Sequence, residues 1–394
     1  MKSALRSSLA VALVFFLHAF AHGGEAREWT DRLGRKFEAE IIANDSLRAT
    51  FALPGKGKAV LPLAQLSAAD AAFVGTWRSA HPEAPLVDSE KLAPWPADAA
   101  AANIEVRLVS ENPKTRAFVH EGAHFVIQSD AKLPAGVMTD LNAVFEATRA
   151  ALMALPFGFH PGGETEKYAV FLYSTAEDYG RAGGASASGG YYDGRNDRML
   201  ILLPNLGIRT DAEHRNFDYR KNLFVLKHEV THQLVRFGEE RLPMWFNEGI
   251  AEVMAATPYA QGRYTFSALD TAIGAYVQKW RHPGDLKPMF ITPPGPLMAV
   301  SRATWEARVS GKNAYEIYNS AALFTFFLLR HDGAGDGRPV AAFLDAVRRD
   351  EPVDKAITDH IRRGRSDEKL AADFSVFLRR LGLKFEFEPV AAQR

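Results

Sequence analysis

The chain has no cysteine among its 394 residues. Disulfides, thiolate metal ligands and lipid attachment at a cysteine are therefore excluded, and any metal must be held by nitrogen and oxygen. An excess of charge of either sign is also missing, since Lys plus Arg and Asp plus Glu each total 47. Such a balance argues against a nucleic-acid or anionic-membrane partner, and the cluster Arg362-Arg363-Gly364-Arg365 is too short to change that. Long apolar runs are lacking as well. The stretch 9–20 is short for a spanning helix, and no other segment is suited to cross a membrane. With Lys2 and Arg6 before it and Ala19-Phe20-Ala21 at its end, 1–21 reads as a secretory signal peptide; an uncleaved anchor is the alternative. An exported chain without cysteine suits a bacterial periplasm or exterior. The glycine-rich run 183–190 is not followed by Gly-Lys-Ser/Thr, so it is not a phosphate cradle; it reads as a mobile flap or a plain flexible loop.

What is present is ample core material, 47% hydrophobic residues, in a length that suggests roughly two or three domains. Residues 27–78 alternate in short segments, with Phe37, Ala39 and Ile41 on one face and turns at Gly34, Asn44-Asp45 and Gly55-Lys56-Gly57. Residues 79–103 are rich in alanine and proline and read as a linker. The remaining region, 104–390, opens with strands expected at 105–109, 117–128 and 168–173 and an amphipathic helix at 135–155. A strand at 198–203 is the candidate sheet edge for pairing with an extended substrate. From Asp270 onward the pattern is helical, with helices at 314–330, 339–349, 353–362 and 367–381. His214, His282, His331 and His360 lack metal-type spacing and read as ordinary surface or packing histidines.

The decisive feature is His228-Glu229-Val230-Thr231-His232, set in an apolar-periodic helix expected over 223–237. Histidines four apart lie one turn apart on one helix face, so both imidazoles can reach one metal ion, with the adjacent carboxylate poised to work on its water. Helix-ending signals follow at Gly238 and the polar turn Glu239-Glu240-Arg241, and Pro243 opens a second helix. On that helix Trp245, Glu248, Gly249 and Glu252 share a face, with Phe246, Ile250, Val253 and Met254 towards the core. Glu248 is the candidate third ligand, with Gly249 beside it letting the two helices come close. A solvated helix carboxylate is the alternative for Glu248. The elongated zincin pattern, which would need a glycine at 235 and a histidine at 238, is absent, since Val235 and Gly238 stand there.

Together with Trp245-Phe246-Asn247-Glu248-Gly249-Ile250-Ala251-Glu252, the motif resembles the gluzincin metallopeptidases, and most of all their uncharacterised secreted peptidase-MA-like members. The segment Asn247-Glu248-Gly249-Ile250-Ala251 is similar to the third-ligand helix of gluzincin aminopeptidases. The fifteen residues between His232 and Glu248 are fewer than in thermolysin-like and aminopeptidase members. The resemblance implies one zinc ion per chain on His228, His232 and Glu248, with Glu229 as general base. It also implies that Glu252 receives the other ring N–H of a ligating histidine; an ordinary surface glutamate is the alternative. Ile317-Tyr318-Asn319-Ser320-Ala321-Ala322-Leu323-Phe324 is similar to the aminopeptidase helix whose tyrosine faces the developing oxyanion, which implies that role for Tyr318. Tyr315, one turn earlier, is its rival, and a packing role is the alternative. Arg27-Glu28-Trp29-Thr30, Gly34-Arg35-Lys36-Phe37 and 66–74 resemble the Sla-type homology domain, a small SH3-like barrel found on bacterial exported enzymes.

The fold class expected is thus α+β: a zincin-like catalytic domain, with a mixed sheet and a helical C-terminal half, preceded by a small SH3-like barrel. The expected function is that of an exported zinc peptidase acting on a peptide or protein substrate. The Gly-x-Met-Glu-Asn element with which gluzincin aminopeptidases grip a free amino terminus is absent, which points to endopeptidase action. Two alternatives stand beside it: a non-catalytic cell-envelope binding protein that keeps the zincin fold, and zinc-dependent hydrolysis of a non-peptide amide or ester. For the N-terminal module, binding of a peptide or envelope partner and a structural or tethering role are equally compatible.

Overall fold

The computed structural model describes residues 26–389 apart from 33, 45–47, 82–94, 158, 160–166, 186–188, 211–215, 218, 236–240, 280–286 and 312. The expected signal peptide lies outside the described residues. The chain separates into two compact units, one ending at Pro85 and the other beginning at Leu86. Among the described residues no helix is long and apolar enough to cross a membrane.

In the first unit, strands β1 (Arg27–Thr30), β2 (Lys36–Asn44), β3 (Arg48–Leu53) and β4 (Gly57–Pro62) form an antiparallel meander. The alternation read from Phe37, Ala39 and Ile41 turns one face inward onto Trp29, whose indole N–H donates to the Ala39 carbonyl at 2.8 Å. Phe51 meets the Trp29 ring edge-on with centroids 4.7 Å apart. Helix α1 (Ala68–Ala80) starts on Ser67, which caps the Asp70 amide, and it adds Val74 to this core. Asp70 accepts from the Thr30 amide and from Arg27, fixing the helix start to β1. The small SH3-like barrel expected here does not appear as a closed barrel. Among the described residues the sheet is open, with β1 and β4 as its edges, because the chain after β4 turns into α1 and returns to β1 only through the Asp31–Leu66 bridge.

The linker expected at 79–103 is shorter than its composition suggests. Trp95 packs against Phe157 and Phe266, and β5 (Ala99–Ala100) pairs with Arg263–Tyr264, so both belong to the second unit. That unit carries a six-stranded mixed sheet in the order β10-β11-β9-β8-β7-β6. Its strands are β6 (Arg107–Asn112), β7 (Ala117–Glu121), β8 (Phe125–Ser129), β9 (Tyr168–Tyr173), β10 (Gly190–Asp193) and β11 (Arg198–Leu202). The single strand expected over 117–128 is a hairpin, β7 and β8. It folds back at Gly122, where a Cβ would press on the Asn142 amide, and Glu146 holds the turn by accepting from the amide and Nδ1 of His124, each at 2.7 Å. The candidate edge at 198–203 is corrected too: β11 is an interior strand, parallel to β9, and the edge is β10.

Helix α2 (Ala135–Ala154) packs under the sheet, and α3 (Ala176–Arg181) follows β9. Then come the motif helix α4 (Leu223–Leu234), α5 (Met244–Ala256), α6 (Leu269–Gln278), α7 (Pro294–Met298), α8 (Arg302–Val309) and α9 (Ala314–Arg330). After them, α10 (Arg338–Arg348), α11 (Val353–Ala356) with a π-helical turn (Ile357–Arg362), and α12 (Asp367–Arg380) complete the helical half within about a residue of the expected limits. His331 pairs with Asp270 at 2.7 Å, as a packing histidine would. His214 and His282 lie outside the described residues.

Gly249 is a point of close helix approach, but its partner is α9. A Cβ on Gly249 would meet the Thr325 hydroxyl and lie 2.7 Å from the Ala321 carbonyl oxygen. The face read as Trp245, Glu248, Gly249 and Glu252 therefore splits. Trp245 is fully buried against Phe324 and Phe343, on the α9 side with Gly249, and Glu248 and Glu252 turn away from it. Gly75 in α1 is the contrasting case, with open space around its Cβ direction. Gly249→Ala is expected to destabilise by about 1–3 kcal/mol through overpacking against backbone, whereas Gly75→Ala should stabilise by about 0.5–1 kcal/mol. Denaturant titration of the two variants checks the opposite signs.

Candidate metal centre

Helix α4 buries Leu226, Val230 and Leu234 in the core, which leaves His228, Glu229 and His232 on its other side. Two polar side chains pin it. Gln233 donates to the Ala169 carbonyl of β9 at 3.0 Å, and the buried Lys227 donates to the Thr257 carbonyl, at the C-terminus of α5, at 2.7 Å. Burial, with a smaller push from Lys279, brings the Lys227 pKa down to about 7. A lysine there sits at the negative end of the α5 dipole and joins the two helices whose spacing forms the site. The helix ends at Leu234, earlier than the expected 237, with Val235 as its cap; Gly238 lies outside the described residues. Helix α5 begins directly after Pro243, as its sequence indicated.

Three donor atoms converge between α4 and α5. His228 Nε2 and His232 Nε2 are 3.1 Å apart, and Glu248 Oε2 lies 3.3 Å from the first and 3.5 Å from the second. Bonds of about 2.0–2.1 Å at tetrahedral angles require donor separations of about 3.3–3.4 Å. The observed triangle matches that requirement without rearrangement, and among the described residues this is the group that meets metal-holding geometry. The electrostatics agree. Glu248 Oε2 is buried without a hydrogen-bond donor in good geometry, and two imidazole nitrogens facing one another can share either a proton or a cation. An N,N,O donor set with no thiolate fits zinc.

The side chains of His228, His232, Glu248 and Glu252 are only 9–14% exposed. Burial alone would raise the Glu248 carboxyl, but His232 and His228 hold it far below the usual carboxylate range. Burial likewise pulls both histidines down. Glu248 and Glu252 overcome it at His228, and Glu248 does so at His232, leaving both raised. Glu229 has no such excess of help: burial raises it against the pull of the two histidines. Glu252 Oε1 lies 3.0 Å from His228 Nδ1, the relation expected for it, and its other oxygen accepts from Tyr276 in α6 at 2.6 Å.

Tyr318 on α9 places its ring 6.2 Å from that of His228, nearly perpendicular to it, and Trp305 of α8 packs edge-on to Tyr318 at 5.5 Å. Burial and the nearby carboxylates push the Tyr318 phenol well above its ordinary value, so the hydroxyl keeps its proton; a hydrogen bond from Trp305 works against this. It is the Tyr318 ring, not that of Tyr315, that the structure sets against His228.

The sheet edge completes the site. A Cβ on Gly190, the first residue of β10, would lie 2.5 Å from Glu229 Cγ, so the strand backbone rests on the side chain of the motif glutamate. The Leu202 amide donates to the Gly189 carbonyl, which fixes the pairing phase of β10 with β11. In an antiparallel ladder the alternate residues, here Gly190 and Tyr192, then point their N–H and C=O groups away from β11, towards the open edge. The two ends of the glycine-rich run are packed: Gly184 lies against the Tyr179 ring and Gly189 against Asn205 and Val225. The flap expected there falls on 186–188, outside the described residues. Gly190, Trp305 and Tyr276 were not singled out in the sequence. A Gly-Gly pair ahead of Tyr191-Tyr192 was the one local signal for the first; the other two meet the site only through tertiary packing.

Neither comparison with models of known protein families nor comparison with curated proteins finds a match to this chain.

Elemental analysis of the purified protein is expected to give one zinc per chain. The double variant His228→Ala, His232→Ala should carry none, and Glu248→Ala should lose most of it. Retention of full zinc affinity by Glu248→Ala would assign the third ligand to another acid.

Proposed function

We propose that this protein is an exported zinc-dependent peptidase of the gluzincin type, acting within chains rather than from a free amino terminus. The single observation that carries the reading is the set of three donor atoms 3.1–3.5 Å apart, with Glu229 beside them under an open strand edge. His228, His232 and Glu248 would hold the ion. When bound, zinc acidifies a water molecule and polarises the scissile carbonyl. Glu229 takes the proton released on attack and delivers it to the leaving amine; its burial raises its affinity for that proton. Tyr318 keeps its phenolic proton and can strengthen a hydrogen bond to the carbonyl oxygen as negative charge develops there.

An extended peptide suits the edge strand β10, where the Gly190 backbone rests on Glu229 and turns its N–H and C=O away from β11. The mixed sheet with a helical half fits a zincin-like domain. The first unit, an open four-stranded meander with a covering helix, is compatible with an SH3-like module that holds a peptide or envelope partner. The reading of export rests on the charged and apolar pattern of residues 1–21.

Glu229→Gln should keep zinc and fold and lose hydrolysis by about a hundredfold to ten-thousandfold, read with a peptide-library cleavage assay on zinc-loaded protein. An unaltered rate would overturn the mechanism, and a zinc-loaded wild type that cleaves nothing in the library would favour the binding-protein alternative.

Tyr318→Phe should leave zinc content and stability nearly intact while kcat and kcat/KM fall together by about a hundredfold or more, the signature of a contact made only in the transition state. Tyr315→Phe is the control; a defect there and none at Tyr318 would move the role one turn along α9.

A further inference from the structure

Behind the three candidate ligands lies a contact that the proposed chemistry does not use directly. His228, Glu252 and Tyr276 come from α4, α5 and α6, and they form a chain: His228 Nδ1 to Glu252 Oε1 at 3.0 Å, then Glu252 Oε2 to the Tyr276 hydroxyl at 2.6 Å. A carboxylate turns freely about its terminal C–C bond unless both oxygens are engaged. With Oε2 held by Tyr276, Oε1 is fixed in the direction of the His228 ring. The Tyr276 ring is itself held from the other side. Lys279 Nζ lies 3.6 Å from its centroid and 3.4 Å from that of Phe224 at the start of α4.

We propose that Tyr276 is a positioning residue for the metal: through Glu252 it fixes the tautomer and ring plane of His228, and so sets how tightly the centre holds zinc. With Nδ1 donating its proton to Glu252, the lone pair at Nε2 points towards His232 Nε2 and Glu248 Oε2, where the ion belongs. Removing the Tyr276 hydroxyl leaves Glu252 Oε2 without its donor in a site of low exposure and releases the carboxylate to rotate. This inference rests on the zinc reading above. It goes beyond that reading by assigning metal affinity to a side chain two contacts removed from the candidate ligand His228.

The test is zinc affinity of the full-length protein, measured by competition with a chromogenic chelator, which needs no knowledge of the substrate. Tyr276→Phe is expected to weaken zinc binding by about 10–100-fold. Glu252→Gln should weaken it at least as much, and the double variant should add little to Glu252→Gln alone, because both act through one contact. Tyr264→Phe is the matched control: it also deletes a buried phenol hydroxyl, one shared with Thr148 at 2.6 Å, away from the centre, and it should leave zinc affinity at the wild-type value. In ¹H–¹⁵N spectra of the zinc-loaded protein, the slowly exchanging His228 Nδ1–H should be present in wild type and lost in Tyr276→Phe. Folded Tyr276→Phe with wild-type affinity would overturn the proposal, as would an equal loss in Tyr264→Phe. If wild type binds no zinc, the zinc reading fails and this inference with it; tight binding by wild type and Tyr276→Phe alike overturns the inference alone.

Discussion

Two imidazoles and three carboxylates, His228, His232, Glu229, Glu248 and Glu252, share one little-exposed space between α4 and α5. Removing so many ionisable groups from water costs several kcal/mol for each charge left unpaired. The surrounding structure is best understood as the means of holding them at fixed separations so that each has a partner. Lys227 and Gln233 pin α4 to the end of α5 and to β9. Gly249 lets α9 seat against the back of α5, which turns Glu248 and Glu252 towards the motif. The same α9 carries Tyr318 to the His228 ring. One helix thus sets both the candidate third ligand and the phenol.

The sheet contributes a surface rather than ligands. Its strand order makes β10 the edge, and the absence of a side chain at Gly190 lets that edge rest on Glu229. Glu229 and the backbone of the edge strand are therefore brought together by a single contact, without a loop between them. Burial raises all three carboxyls, but the neighbouring histidines overcome it at Glu248 and Glu252 and not at Glu229. Glu248 and Glu252 stay charged because histidines face them, while Glu229 is drawn towards its protonated form.

Local geometry made most of the centre legible in the sequence. The spacing of His228 and His232 is a helical spacing, and Pro243 fixes the start of α5, so the register of Glu248 and Glu252 follows from counting residues. What could not be read was which element would be the neighbour. Gly249 was understood as a close-approach glycine, but only tertiary structure shows that the approaching helix is α9. Strand order is non-local in the same way, so the pattern at 198–203 revealed a strand but not that β10 would lie outside it. The hairpin at Gly122 was hidden by apolar alternation that continues through the turn. Tyr276 lies 24 residues from the carboxylate it holds, and no periodicity links the two. In the first unit the alternation and the turns at Gly34 and Gly55–Gly57 were readable; the central place of Trp29 and the closure of the sheet were not, since both depend on how the strands pair and where the chain goes after β4.

The length of β10 has a consequence for the protein in a crowded compartment. An open strand edge is a standing invitation to other chains, and a long one recruits sheets from neighbouring molecules. This edge spans only Gly190–Asp193, and Asp193 at its far end is tied to Arg198 and Asn196. So short an edge is a poor template for a neighbouring sheet, and Asp193 places a charge where such a ladder would have to extend.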